Sequence, residues 1–261
     1  MRQRWCRAGP WVPDRTMRNF KLTLEFDGAE FHGWQKQPGL RTVQGAMENA
    51  AGELFNQPVA VVGCCRTDAG VHAAALVCNF LVETALPVER IQRAMEALLP
   101  DDVVVRDVRE APEGFHARHD AIARRYIYRL TGVRTALERR MCHHCKYALD
   151  VSRMAQAAGL LLGEHDFTSF APISLGPDVS PVCTVSAASV RGDGAAILFD
   201  VTADRFLHHM VRTVVGTLIE VGRGRIPPER VGEILCKRDR RAAGPTVPAC
   251  GLVLMEVFYP Q

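Results

Sequence analysis

The 261-residue sequence contains no apolar run approaching the roughly 18 residues a membrane-spanning helix needs, so a helical membrane protein is excluded. It also lacks the apolar core of a secretory signal near its start. Residues 1–16 instead mix Trp5, Pro10, Trp11 and Pro13 with arginines and show no period, and they read as a disordered arm or an over-long start ahead of Met17. There is no regular cysteine spacing. Nine cysteines scattered through an enzyme-like composition point to reduced thiols and a cytoplasmic location, not to a disulfide framework. Finally, the body of the chain has no net charge. Arg2, Arg4, Arg7 and Arg15 against Asp14 give the first 16 residues +3, the whole chain is also +3, and residues 17–261 therefore sum to zero. A neutral body is no generic polycation, so any binding to nucleic acid must use a local patch.

What is present is a large apolar fraction, 48%, enough for one large domain or two modest ones. Phe20, Leu22, Leu24 and Phe26 alternate with polar residues and predict a strand over 18–26. Val43, Ala46, Met47, Ala50 and Leu54 mark one face of a helix over 42–55, with Thr42 as N-cap. Strands follow at 59–63, 75–82 and 103–108, with a helix opened by Pro87 before the last of them. That order, β-α-β-β-α-β, is the ferredoxin-like one. It recurs, with insertions, as a strand at 121–130, a helix at 151–162 capped by Asp150, a hairpin of 182–190 and 196–203, a helix at 206–221, an extra helix at 228–237 and a last strand at 252–258. The expectation is an α+β protein of two tandem ferredoxin-like units, 17–112 and 113–261, whose sheets could join side by side and face a central cleft able to hold RNA. No clear sequence identity links the halves; the repeat is one of topology.

A local basic patch exists. Between Phe115 and Tyr147 lie Arg118, Arg124, Arg125, Arg129, Arg134, Arg139, Arg140 and Lys146, opposed only by Asp120 and Glu138. Such a run is equally a solvated face or an RNA contact. Arg124 and Arg125 sit in Ala123-Arg124-Arg125-Tyr126-Ile127-Tyr128, where arginines suit phosphates and a tyrosine ring suits an extruded base. On residue chemistry alone, both tyrosines fit the core as well.

The stretch Gly63-Cys64-Cys65-Arg66-Thr67-Asp68-Ala69-Gly70-Val71-His72 presents a carboxylate on a tight loop at a strand end, with a guanidinium two residues before it. An Asp so placed can serve as nucleophile or base. Local chemistry taken alone favours an Asx-turn in which Asp68 caps its own loop. The whole string, however, resembles the G-R-T-D-A-G-V-H signature of the TruA family of tRNA pseudouridine synthases. Further matching strings are Phe26-Asp27-Gly28, Gly33-Trp34-Gln35, Val43-Gln44, the run Gly163 to Phe170, Phe206-Leu207-His208-His209-Met210-Val211-Arg212, and Ala243-Gly244-Pro245-Thr246 before Gly251-Leu252.

The resemblance implies isomerisation of uridine to pseudouridine at positions 38 to 40 of the tRNA anticodon stem-loop by a homodimer, with no cofactor and no metal. It implies Asp68 as nucleophile, Arg212 as the arginine paired with it, Arg66 as a residue that extrudes the nucleotide or holds its phosphate, Tyr126 as the ring stacked on uracil, and Leu252 in the pocket floor. Arg118, Arg124 and Arg125 become RNA contacts, and Tyr128 stays in the core. Departures from the pattern are Cys65 for Gly, Leu76 and Asn79 for Gln and His, Glu96 for Asn and Cys183 for Arg; Cys65 is expected to crowd the catalytic loop and restrict its φ.

Two motifs suggest a metal and are read as incidental. Cys142-His143-His144-Cys145 is too compact for tetrahedral ligation, and His208-His209, placed on a helix, would point about 100° apart. Two other function classes remain open from sequence: a non-catalytic tRNA-binding paralogue, and a metal-dependent RNA-modifying enzyme using Cys142 to Cys145.

Overall fold

The computed structural model describes residues 16–174, 176 and 179–260; the expected arm, 1–15 above all, lies outside them. Its first strand β1 (Thr16–Phe26) buries Phe20, Leu22, Leu24 and Phe26 on one face, as the alternation predicts. Helix α1 (Val43–Phe55) is capped by Thr42, whose hydroxyl accepts the Gly45 N–H. Next come β2 (Val62–Gly63), β3 (His72–Thr84), α2 (Val88–Leu98) and β4 (Val103–Ala111). The second half runs β5 (Ala123–Thr131), β6 (His143–His144), α3 (Val151–Gly159), β7 (Gly163–Asp166), β8 (Val182–Asp193), β9 (Ala196–Ala203), α4 (Met210–Gly222), α5 (Arg230–Lys237) and β10 (Leu252–Phe258).

The strands form one mixed sheet in the order β4-β1-β3-β10-β5-β9-β8-β7, with β2 beside β3 and β6 beside β5. The halves meet where β10, the last strand, lies parallel to β3. That seam has only two register pairs, His72 with Val253 and Ala73 with Leu254. It places the start of β3, just after the Asp68 loop, beside the start of β10 at Leu252. On its other side β10 runs antiparallel to β5.

Buried polar groups tie the connection between the halves to β1 and β3. The Asn79 amide donates to Asn19 Oδ1 (3.0 Å) and accepts the Ala117 N–H (2.9 Å), while Asn19 donates to the carbonyls of Pro112, Glu113 and Phe115. The unusual Asn79 is thus fully used in holding residues 112–117 across β1 and β3.

Element ends differ from the sequence reading for local reasons. The expected strand 59–63 pairs only at Val62 and Gly63, after Pro58 has removed one backbone donor, although Val59 and Val61 are buried. The strand expected at 75–82 extends over 72–84. Helix α4 begins at Met210, not Phe206, because His209 adopts a left-handed backbone (φ 61°, ψ 0°) that no helix continues through.

Candidate active site

The Asp68 loop is braced by the aromatic loop before α1. Trp34 N–H donates to Thr67 O (3.1 Å), and Gly70 N–H donates to Phe31 O (3.2 Å). Gly33 makes the approach possible: its φ is +82°, and a Cβ there would stand 2.5 Å from Thr67 O. The turn closes with Val71 N–H donating to Asp68 O (3.2 Å) around Gly70 at φ +77°. His72, wholly buried at the start of β3, accepts the Gly28 N–H at Nδ1 (3.0 Å) and so pins the turn after β1. The glycines and the histidine of the string are therefore scaffold around one carboxylate.

That carboxylate does not cap its own loop, which corrects the Asx-turn reading. Asp68 Oδ2 accepts from Arg212 Nη1 at 2.9 Å, and Arg212 Nε donates to Val247 O at 2.8 Å. His208 Nε2 lies 3.5 Å from Oδ1 and His209 Nε2 lies 3.6 Å from Oδ2. Asp68 keeps 16% of its side-chain surface exposed, so it remains reachable. Arg212 is delivered by the first turn of α4. One turn later Gly216 touches the 244–247 segment so closely that a Cβ would stand 1.7 Å from Pro245 O. Thr217 Oγ1 accepts the Gly244 N–H (2.9 Å) and Thr213 Oγ1 meets Thr246 Oγ1 (3.0 Å), so one helix face is fastened to that segment along its length. His209 also borders an open recess of about 540 Å³ lined by Pro172, Ile173, Ser174, Arg240 and Thr246.

Tyr126, on β5, is buried beneath the loop. Its ring meets Phe206 edge to face at 5.1 Å between centroids, and its hydroxyl lies 3.6 Å from Cys65 Sγ. Burial pushes that phenol well above its ordinary pKa, so it is neutral. Cys65 has no positive φ, so its side chain brings no left-handed strain to the loop. Its thiol is held below the usual range first by a hydrogen bond from Cys64 Sγ (3.6 Å), while burial pushes Cys64 well up. Leu252 is 5% exposed at the start of β10, level with Tyr128 in the ladder. Tyr128 is in the core as expected, its hydroxyl donating to Pro248 O at 2.7 Å.

The basic run divides. Arg124 turns inward and is no free phosphate ligand: its two terminal nitrogens donate to the carbonyls of Cys64, Arg118, Ala121 and Asp204. A guanidinium can do this because its fork reaches several acceptors at once. Arg125 is paired with Asp200 (2.9 and 2.6 Å), and Arg140 with Glu30 (2.8 Å). Arg66, Arg118, Arg134, Arg139 and Lys146 are exposed, and none of them is in an ion pair among the described residues.

A sequence profile of the tRNA pseudouridine synthase family matches residues 23–120 and 157–260. The tRNA pseudouridine synthase A of Acetivibrio thermocellus is 40% identical over 245 residues, 93% of this chain and 100% of that protein. The chain belongs to the tRNA pseudouridine synthase family. The enzyme of the same name from Clostridium acetobutylicum is 42% identical over 246 residues, again 93% of this chain and all of its relative. Within this tRNA pseudouridine synthase family member, sequence reasoning missed the two histidines at Asp68. It placed His208 and His209 on a helix, whereas they precede α4 with their ring centroids 3.7 Å apart. Cys142 to Cys145 do not converge in the same way: His143 and His144 are successive residues of a strand, and Cys142 donates to Glu138 O. The signal for the His pair was legible in the Phe206–Arg212 string, but its geometry depended on the left-handed residue.

Proposed function

We propose that the protein converts uridine to pseudouridine in tRNA at positions 38, 39 and 40 of the anticodon stem-loop, acting in the cytoplasm as a homodimer. The N1–C1′ bond breaks, the uracil turns over, and C5 bonds to C1′ while the C5 proton is released and N1 gains one. No electrons or groups are exchanged with a second reactant, so the chemistry asks for no cofactor. Asp68 acts as the nucleophile. The observation that carries this reading is the reachable Asp68 carboxylate on a loop braced by the Phe31–Trp34 segment and aligned by Arg212 at 2.9 Å. A fixed, charge-paired carboxylate is in position before substrate arrives, which is what a nucleophile held for attack requires.

Tyr126 supplies the ring on which uracil stacks after Phe206 or the Cys65 thiol yields, and Leu252 closes the floor beside it. Arg66, exposed on the loop itself, meets the phosphate of the extruded nucleotide. Arg118 is a direct backbone contact, whereas buried Arg124 supports the loop from beneath and Arg125, partly exposed, is held by Asp200. The strand order supports reading the sheet as two ferredoxin-like units: β4-β1-β3 with β2 beyond it, and β10-β5-β9-β8, are each the 4-1-3-2 arrangement of that topology. Asp68→Asn keeps the shape and hydrogen bonds of the site but removes the nucleophile. It lowers pseudouridine formation at least about a thousandfold while tRNA affinity stays within a few-fold, and appreciable turnover by this variant would overturn the assignment.

A further inference from the structure

We infer that Asp68, His208 and His209 form a binding site for a divalent transition-metal ion of the Zn²⁺ class, and that the ion silences the nucleophile instead of serving it. The inhibitory half rests on the proposed role of Asp68; the binding half does not. The three residues are the His, Cys, Asp or Glu group whose ligand atoms converge among the described residues, all within 4.8 Å of one another. Tetrahedral zinc with nitrogen and oxygen ligands at about 2.0–2.2 Å places those ligands about 3.3–3.6 Å apart. The His208 Nε2 to Asp68 Oδ1 separation, 3.5 Å, falls in that range; His209 Nε2 lies 3.6 Å from the other oxygen, Oδ2, and a small rotation of the carboxylate or of the ring brings it onto the same ion.

The backbone creates this match. Had α4 begun at Phe206, the adjacent imidazoles would diverge; the left-handed turn at His209 stacks the rings and aims both Nε2 atoms at one carboxylate. Two imidazoles and one carboxylate leave a fourth position for water, and this donor set favours zinc over magnesium or calcium, which prefer all-oxygen shells. Arg212 holds Oδ2, so the ion takes Oδ1, the oxygen faced by the exposed His208. The cationic guanidinium beside the site weakens binding, as suits a reversible inhibitor. With Oδ1 coordinated, Asp68 cannot attack, and His208 and His209 are drawn across the approach to it.

The test begins without RNA. Reduced full-length protein is titrated with Zn²⁺ against a chromophoric chelator, beside His208→Ala, the double variant His208→Ala/His209→Ala, and Cys142→Ser/Cys145→Ser. The histidine variants are expected to lose one equivalent or at least about tenfold in affinity, and the cysteine variant to bind as the parent does. Equal binding by the parent and the double histidine variant overturns the site, as does a loss that follows the cysteines. Co²⁺ provides the second readout: visible d–d absorption without a thiolate charge-transfer band is expected, and a thiolate band that persists in the cysteine-to-serine variant overturns the ligand set. Pseudouridine formation is then measured with and without Zn²⁺, each variant normalised to its own activity in EDTA. Inhibition of the parent and at least about tenfold weaker inhibition of His208→Ala are expected; equal sensitivity overturns the regulatory claim. Zinc bound at the histidines in a parent that has no activity in EDTA sinks the proposed enzymatic function and leaves the metal site standing.

Discussion

Cys65 and Tyr126 show what a single departure does in a packed site. The Cys65 thiol lies between the Asp68 loop and the ring, 3.6 Å from the hydroxyl, with no positive φ at Cys65. Tyr126→Phe keeps the ring and removes only the hydroxyl, so tRNA-bound uridine should still be processed. Tyr126→Leu should lose about 1–3 kcal/mol of base stacking. Steady-state kinetics on one tRNA separates them, and equal values would remove stacking from the account. The Cys65 thiol is held below the ordinary range, so its thiolate is present at lower pH than that of a free thiol. Alkylation of Cys65, followed by peptide mass spectrometry, should therefore rise with a midpoint below that of a free cysteine under the same conditions. A midpoint above that value contradicts the hydrogen bond from Cys64. The pairing of Asp68 with Arg212 and the core position of Tyr128 were legible because the strings that carry them are contiguous. The inward turn of Arg124 was not: a run of arginines has one appearance in sequence whether its members face carbonyls or solvent.

Helix α4 is the element that turns distance in sequence into chemistry. Its face of Arg212, Thr213, Gly216 and Thr217 is fastened to the 244–247 segment, and this clamp holds the guanidinium toward Asp68. Gly216→Ala forces a methyl against a backbone carbonyl at 1.7 Å. The helix must shift, and the expected cost is about 1–3 kcal/mol of stability together with a larger fall in kcat than in tRNA affinity. Denaturant melts and kinetics on the same preparation check this; unchanged kcat with reduced stability would show that Arg212 follows the helix without consequence. Helix interiors and the first strand were readable from periodicity and caps, as Thr42 and Asp150 illustrate. The start of α4 was not, because a non-glycine residue with positive φ gives no warning in an apolar run.

Across the whole molecule, charge and topology set the behaviour toward RNA. The exposed and unpaired Arg118 and Arg139 should carry more of the binding than Arg140, whose charge Glu30 already meets. Removing one phosphate-binding cation should flatten the plot of log affinity against log salt by about 0.7 to 0.9. Arg118→Glu/Arg139→Glu should weaken binding to every tRNA sequence and lower that slope, while deletion of residues 1–15 should change it far less. A larger loss from the deletion would make the arm the RNA anchor. Most strands and helices were readable in order, and two sheets joined side by side were anticipated, but the particular seam of β10 against β3 was not, since pairing between distant strands leaves no local mark. The two-pair seam between β3 and β10 has a temporal meaning as well. His72 and Ala73, which follow the Asp68 loop, are made early, yet their partners Val253 and Leu254 stand 181 positions further along the chain. A nascent chain can therefore finish β1, β3 and β4 and still lack both this seam and Arg212, so the surroundings of the carboxylate are completed only by the second half of the chain.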